Sequence, residues 1–98
     1  MRRPAKPRYP QVLRITQALQ AIENYIPVDE PIRHGWRESL RGTPNFRVSG
    51  ETHQVPWMVD IYCGNFIHVS VGSAEQVCRS IPEAVGFIQM RLQIKDHD

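Results

Sequence analysis

Asp60, His68 and Ser70 are the residue types of a hydrolytic triad, and Arg33, Arg37 and Arg41 recur at steps of four, the spacing that aligns guanidinium groups along a helix. The triad chemistry also needs a strained nucleophile turn, an oxyanion hole and a pocket, and none of these has a trace in the sequence. The arginines ask less of their surroundings: a helical stripe of them would meet phosphates or carboxylates at regular intervals. Glu38 stands among them and can neutralise Arg37 or Arg41 locally. No G-x-G-x-x-G, P-loop, H-E-x-x-H or paired C-x-x-C pattern occurs, so no enzymatic activity and no cofactor is expected. His34, His53, His68 and His97 lack the close paired spacing of zinc ligands, and no metal site is expected either.

The elements that must position these residues follow from periodicity. Trp57, Val59 and Ile61 alternate with Met58, Asp60 and Tyr62, and after Gly64-Asn65 the residues Ile67, Val69 and Val71 alternate with Phe66, His68 and Ser70. This is a hairpin whose register is set by burial. A two-residue turn would pair Cys63 with Phe66 and mix polar with apolar residues on both faces. A three-residue turn at Cys63-Gly64-Asn65 pairs Tyr62 with Phe66, Asp60 with His68 and Val59 with Val69, leaving one face wholly apolar, with Gly64 or Asn65 left-handed. The second face then gathers Met58, Asp60, Tyr62, Phe66, His68 and Ser70. Aromatic residues there supply contact area at low entropy cost, and a histidine beside a carboxylate can change charge near physiological pH. The competing reading is that the segment carrying Trp36 covers this face, because cross-strand aromatic and charge pairs also stabilise ordinary sheets.

Val12, Ile15, Leu19, Ile22 and Ile26 line one face of a first helix, with Pro10 in its first turn and Pro27 ending it near Tyr25. Over residues 29–41, Asp29 or Glu30 can lead a short second helix, Pro31 fits its first turn and Gly42 its end, although Gly35 weakens it. An ordered loop pinned by Trp36 is the alternative. Phe46 and Val48 suggest a short edge strand before Gly50, and Val77 and Cys78 a brief last strand. Ser80-Ile81-Pro82-Glu83 is a capping box opening a final helix whose inward face is Ile81, Ala84, Val85, Ile88 and Leu92, with Gly86 allowing close approach to a neighbour. The expected fold is an α+β two-layer sandwich: a helix, a short intermediate helix or loop, an antiparallel sheet of two to three strands and a C-terminal helix. Residues 1–9 form a flexible basic arm, 10–95 a single domain and 96–98 a tail.

That α-β-β-β-α order resembles the double-stranded-RNA-binding domain, with Ser80-Ile81-Pro82-Glu83-Ala84 where that family begins its last helix. The family opens this helix with a lysine pair and further basic residues, whereas Ile81, Pro82 and Glu83 stand here, and the resemblance ends at topology.

Composition sets the remaining bounds. The 98 residues carry a net charge of only +2, which argues against a surface wholly devoted to nucleic acid. The charge is uneven, since Arg2, Arg3, Lys6, Arg8 and Arg14 all precede the first acidic residue, Glu23. No apolar run approaches the ~20 residues that cross a bilayer, and two cysteines, Cys63 and Cys78, read as reduced core thiols, so a cytoplasmic protein without membrane contact is expected. The expected function is that of a non-enzymatic protein-interaction module, a small regulator, adaptor or inhibitor of a larger complex, with Trp36, Asp60, Tyr62, Phe66 and His68 as its protein-binding residues. The second expectation is a nucleic-acid-binding regulator that uses the basic arm and Arg33, Arg37 and Arg41, which would equally suit an acidic partner. Self-association through an exposed hairpin or helix is a further alternative.

Overall fold

A computed structural model of the chain describes residues 8–38 and 43–94. Helix α1 (Val12–Tyr25) is followed by strands β1 (Arg33–Glu38), β2 (Pro44–Thr52), β3 (Val55–Ile61), β4 (Ile67–Val71) and β5 (Ala74–Cys78), and helix α2 (Ile81–Leu92) closes the order. The five strands form one antiparallel sheet in the order β1-β2-β3-β4-β5, each paired with its sequence neighbour. The α+β class is as expected, but the sheet has five strands rather than two or three.

The β3–β4 register is the one that burial selects: Trp57 faces Val71, Val59 faces Val69, Asp60 faces His68 and Ile61 faces Ile67. The Tyr62 N–H donates to the Phe66 carbonyl at 3.0 Å across the turn, and Gly64 takes the left-handed position at φ 74°. On the resulting apolar face, Val48, Trp57, Val59, Ile61, Ile67 and Val69 pack with Ile15, Ala18 and Ile22 of α1 and Ala84, Val85, Phe87 and Ile88 of α2 in one core. Both helices therefore lie on the same side of the sheet. Val12, the first member of the α1 stripe, is exposed, and Pro10 precedes the helix instead of sitting in its first turn.

The expected second helix is a strand. Residues 33–38 pair along their whole length with β2, from Arg33 opposite Ser49 to Glu38 opposite Pro44. Gly35 and Trp36 fit this better than a helix, because backbone pairing with an adjacent strand replaces the helical hydrogen bonds that Gly35 weakens. Leu40, Arg41 and Gly42, also assigned to that helix, lie outside the described residues. With β1 in place, β2 is an interior strand of nine residues and not an edge.

The β2–β3 turn, His53-Gln54, has positive φ at both residues (52° and 66°) without a glycine. Asp29 supports it: its carboxylate accepts from the N–H of His53 at 3.2 Å and of Gln54 at 2.9 Å, and its own N–H donates to the Glu51 carbonyl at 2.8 Å. Asp29 is thus a turn brace and not a helix leader. Nearby, the Trp57 indole N–H donates to Thr52 Oγ1 at 3.0 Å, and the Thr52 hydroxyl donates to the Pro27 carbonyl. Gly50 opposite Trp57 leaves room for the indole, since a Cβ there would lie 2.6 Å from Trp57 Cζ2.

At α2, Ser80 accepts from the Glu83 N–H at 3.2 Å, as the capping box requires. The Glu83 carboxylate reaches one residue further than expected and accepts from the Arg79 N–H at 2.9 Å. Gly86 faces open space rather than a close neighbour, because a Cβ there would meet nothing within 4 Å.

Candidate functional site

Alternation along each strand puts a second, helix-free face on the sheet. Its rows are Arg33, Gly35 and Arg37 on β1, Asn45, Arg47 and Ser49 on β2, Met58 and Asp60 on β3, His68 and Ser70 on β4, and Glu75 and Val77 on β5. Among the described residues no element covers it.

Its centre is an ion pair. Arg47 lies opposite Asp60 and donates to both carboxylate oxygens, Nε to Oδ1 at 2.7 Å and a terminal nitrogen to Oδ2 at 3.0 Å. The fork geometry matters because Asp60 is only 5% exposed, and a carboxylate so far from water needs a charged donor. The hydrogen bond to Asp60 raises the Arg47 guanidinium above its ordinary pKa against a smaller opposing effect of burial. Nothing in the sequence pairs Arg47 with Asp60; the contact follows from β2 lying beside β3. Asp60 and His68 are cross-strand partners as expected, yet their side chains divide. His68 Nε2 lies 3.4 Å from a Glu75 carboxylate oxygen, while Asp60 belongs to Arg47. With Asp60 so engaged and Ser70 buried, the three residues do not form a triad.

Tyr62 and Phe66 flank the turn at one end of β3 and β4 with their rings edge to face, centroids 5.2 Å apart. Phe66 is 45% exposed. Trp36 does not join them. It lies opposite Phe46, which belongs to the core, and meets that ring edge to face at 5.3 Å, so it stands at the margin of the helix-covered side. There it forms a cluster with Tyr9, 5.6 Å away, and with His34, which stacks on Phe46 at 5.7 Å. Tyr9, expected in the flexible arm, is therefore fastened to β1, while residues 1–7 of that arm lie outside the described residues. Of the expected protein-binding residues, the structure thus brings Asp60, Tyr62, Phe66 and His68 to one face and Trp36 to the other.

No family model, curated protein or solved structure matches the chain. The site is accordingly read from its own geometry.

Arg33 and Arg37 share the helix-free face, as alternate positions two apart on a strand require, and neither has an ion-pair partner among the described residues. They border a groove of about 380 Å³ that also reaches Gly35, Arg47, Ser49 and Met58 and extends around the edge of β1 to His34 and Trp36. A neighbouring depression of about 310 Å³ shares Arg33, Ser49 and Met58 with it. A third cleft, about 410 Å³, lies between the start of α1 and the β3–β4 turn. Its Arg14 is already committed as a brace, donating to the Gly64 carbonyl, to Asn65 Oδ1 at 3.2 Å and to the Arg79 carbonyl at 3.3 Å. Cys63 and Cys78 are both free thiols, and burial pushes the Cys78 thiol up despite a hydrogen bond from Gln76. No group of three or more His, Cys, Asp or Glu side chains able to hold a metal ion forms among the described residues. No helix among them is long and apolar enough to cross a membrane.

Proposed function

We propose that the chain is a non-enzymatic protein-interaction module, a small regulator, adaptor or inhibitor of a larger complex, that engages its partner with the helix-free face of the sheet. The observation that carries this reading is the exposed Phe66, set edge to face on the half-buried Tyr62, beside the Arg47–Asp60 ion pair on a face that no described element covers. Rigid aromatic side chains with adjoining charge are the composition of an interface centre, and truncating such an anchor typically costs ~2 kcal/mol or more of binding energy.

A nucleic-acid-binding regulator is the second reading, favoured by the placement of Arg33 and Arg37 on that same face without acidic partners among the described residues. Phosphate neutralisation would make affinity fall steeply with salt, each lost contact reducing the slope by ~0.7 to 0.9. The test is a titration with duplex DNA, duplex RNA and single strands at two salt concentrations, repeated with Arg33, Arg37 and Arg41 changed to alanine. Weak binding that ignores the arginines at physiological salt is expected. Submicromolar, arginine-dependent binding there would overturn the protein-interaction reading in favour of the second.

A further inference from the structure

We infer that the outer edge of β1 is a strand-addition site for an extended acidic segment of another protein, one that alternates carboxylates with apolar residues. The inference rests on the protein-interaction reading and deepens it by naming the mode of binding and the chemistry of the partner.

Among the described residues β1 ends the sheet, and all six of its residues pair with β2 on one side only. The other side presents backbone donors and acceptors that an added strand can use. Edge strands are ordinarily blunted by proline, by a bulge or by charge. β1 has no proline, its pairing is unbroken, and its charge is of a selective kind. On the helix-free side, Arg33 and Arg37 bracket Gly35, over which a Cβ would meet nothing within 4 Å. A carboxylate on an incoming strand opposite Gly35 would lie diagonal to both arginines, roughly 7–8 Å from each at the backbone and within reach of their long side chains. On the other side, Trp36 is 52% exposed and held edge-on between Phe46 and Tyr9. It offers a fixed apolar landing for the alternate residues of the same strand. His34 and Glu38 flank Trp36 on that face, so the edge asks for a carboxylate opposite Gly35 and an apolar side chain beside Trp36.

The same charges argue against other occupants. Two copies of β1 paired about Gly35 would set Arg33 against Arg37 of the second copy, a like-charge pair. The chain's own N-terminal segment carries Arg2, Arg3 and Lys6, of the same sign. At the opposite end of the sheet, β5 carries no arginine or lysine that would draw an acidic strand.

The probe is a fluorescein-labelled peptide alternating glutamate with valine, read by anisotropy and by backbone amide shifts of the intact protein. Expected are shifts concentrated at 33–38, affinity lower by about tenfold or more when lysine replaces glutamate in the peptide, and a similar loss when the amides on one edge of the peptide are N-methylated. Gly35→Val, whose Cβ would meet nothing within 4 Å, partly fills the space between the arginines and is expected to weaken binding while leaving the thermal midpoint in place. No binding of the glutamate peptide, equal binding of the lysine peptide, indifference to N-methylation, or shifts at Ala74–Cys78 instead would each overturn the proposal. So would sedimentation showing that β1 is occupied by a second copy. If the peptide fails while a natural partner still requires Phe66, strand addition falls and the interaction-module reading stands. Submicromolar, arginine-dependent nucleic-acid binding would instead remove the reading on which strand addition rests.

Discussion

β4 and β1 are strands of similar length in one sheet, yet opposite in construction. Three residues of β4, Ile67, Val69 and Val71, enter the core beneath α2, and Ser70 is buried as well. In β1 only Gly35 is even partly buried; the strand is held by its ladder to β2 and by Trp36 against Phe46. The difference teaches that this sheet has a structural half, specified by apolar alternation and covered by helices, and a presented half, specified mainly by pairing. A strand of the second kind is free to carry chemistry on both faces, because neither is consumed by the core.

The most direct way to break this comparison is to truncate a core residue and a β1 residue in parallel. Ile88 of α2 is wholly buried, and Ile88→Ala is expected to cost ~2 to 5 kcal/mol by loss of transfer energy plus a cavity. Trp36→Ala, although it removes a larger side chain, should cost less than Ile88→Ala, because half of that surface already faces water. Equal losses in denaturant midpoints would dissolve the distinction between the halves. Next in size is Gly50→Ala, which places a methyl group 2.6 Å from the Trp57 ring and must shift the indole away from Thr52. A loss of ~1 to 3 kcal/mol by overpacking is expected, checked by urea unfolding.

Asp29→Ala should follow, at ~1 to 3 kcal/mol, since it strips the acceptor from two turn amides in a left-handed turn. Adding Gln54→Gly to that variant should recover part of the loss, because glycine adopts positive φ freely. No recovery would show that Asp29 acts elsewhere. The smallest effect concerns Cys78, whose thiol is fully buried on the helix-covered side. Its raised pKa means that the native state retains a proton that the unfolded chain releases at lower pH. The associated stability is present below the unfolded thiol's pKa and declines as pH rises through the folded value. Cys78→Ala should flatten the alkaline limb of the stability profile. A limb unchanged by the substitution would mean that this thiol is not its source.

The structural half was the legible half. Alternation from Trp57 to Val71 fixed the β3–β4 pairing and its three-residue turn because any slip would expose the apolar set. Ser80 and Pro82 marked the start of α2, and Pro27 the end of α1. The presented half was not legible for a physical reason: β1 has no apolar alternation, and Arg33, Arg37 and Arg41 at steps of four fit a helical stripe as well as one face of a strand. The β2–β3 turn escaped because His53-Gln54 has no glycine and borrows its support from Asp29, distant in sequence. Without that turn, the pairing of Arg47 with Asp60 could not be inferred, and the candidate site lost its central contact. Phe66, Tyr62 and His68, placed by the legible hairpin, fell on one face as expected.

Each strand of the sheet pairs with its neighbour in the chain, whereas α1 and α2, which bracket all five, pack together over the core. During vectorial synthesis the hairpins can form as they emerge, but the apolar face of β4 stays uncovered until α2 has left the exit tunnel. Helix α2 is the roof of the molecule. Released chains truncated after Ser80 should therefore expose Ile67 and Val69 to chaperones, and chains that include residues 81–92 should not.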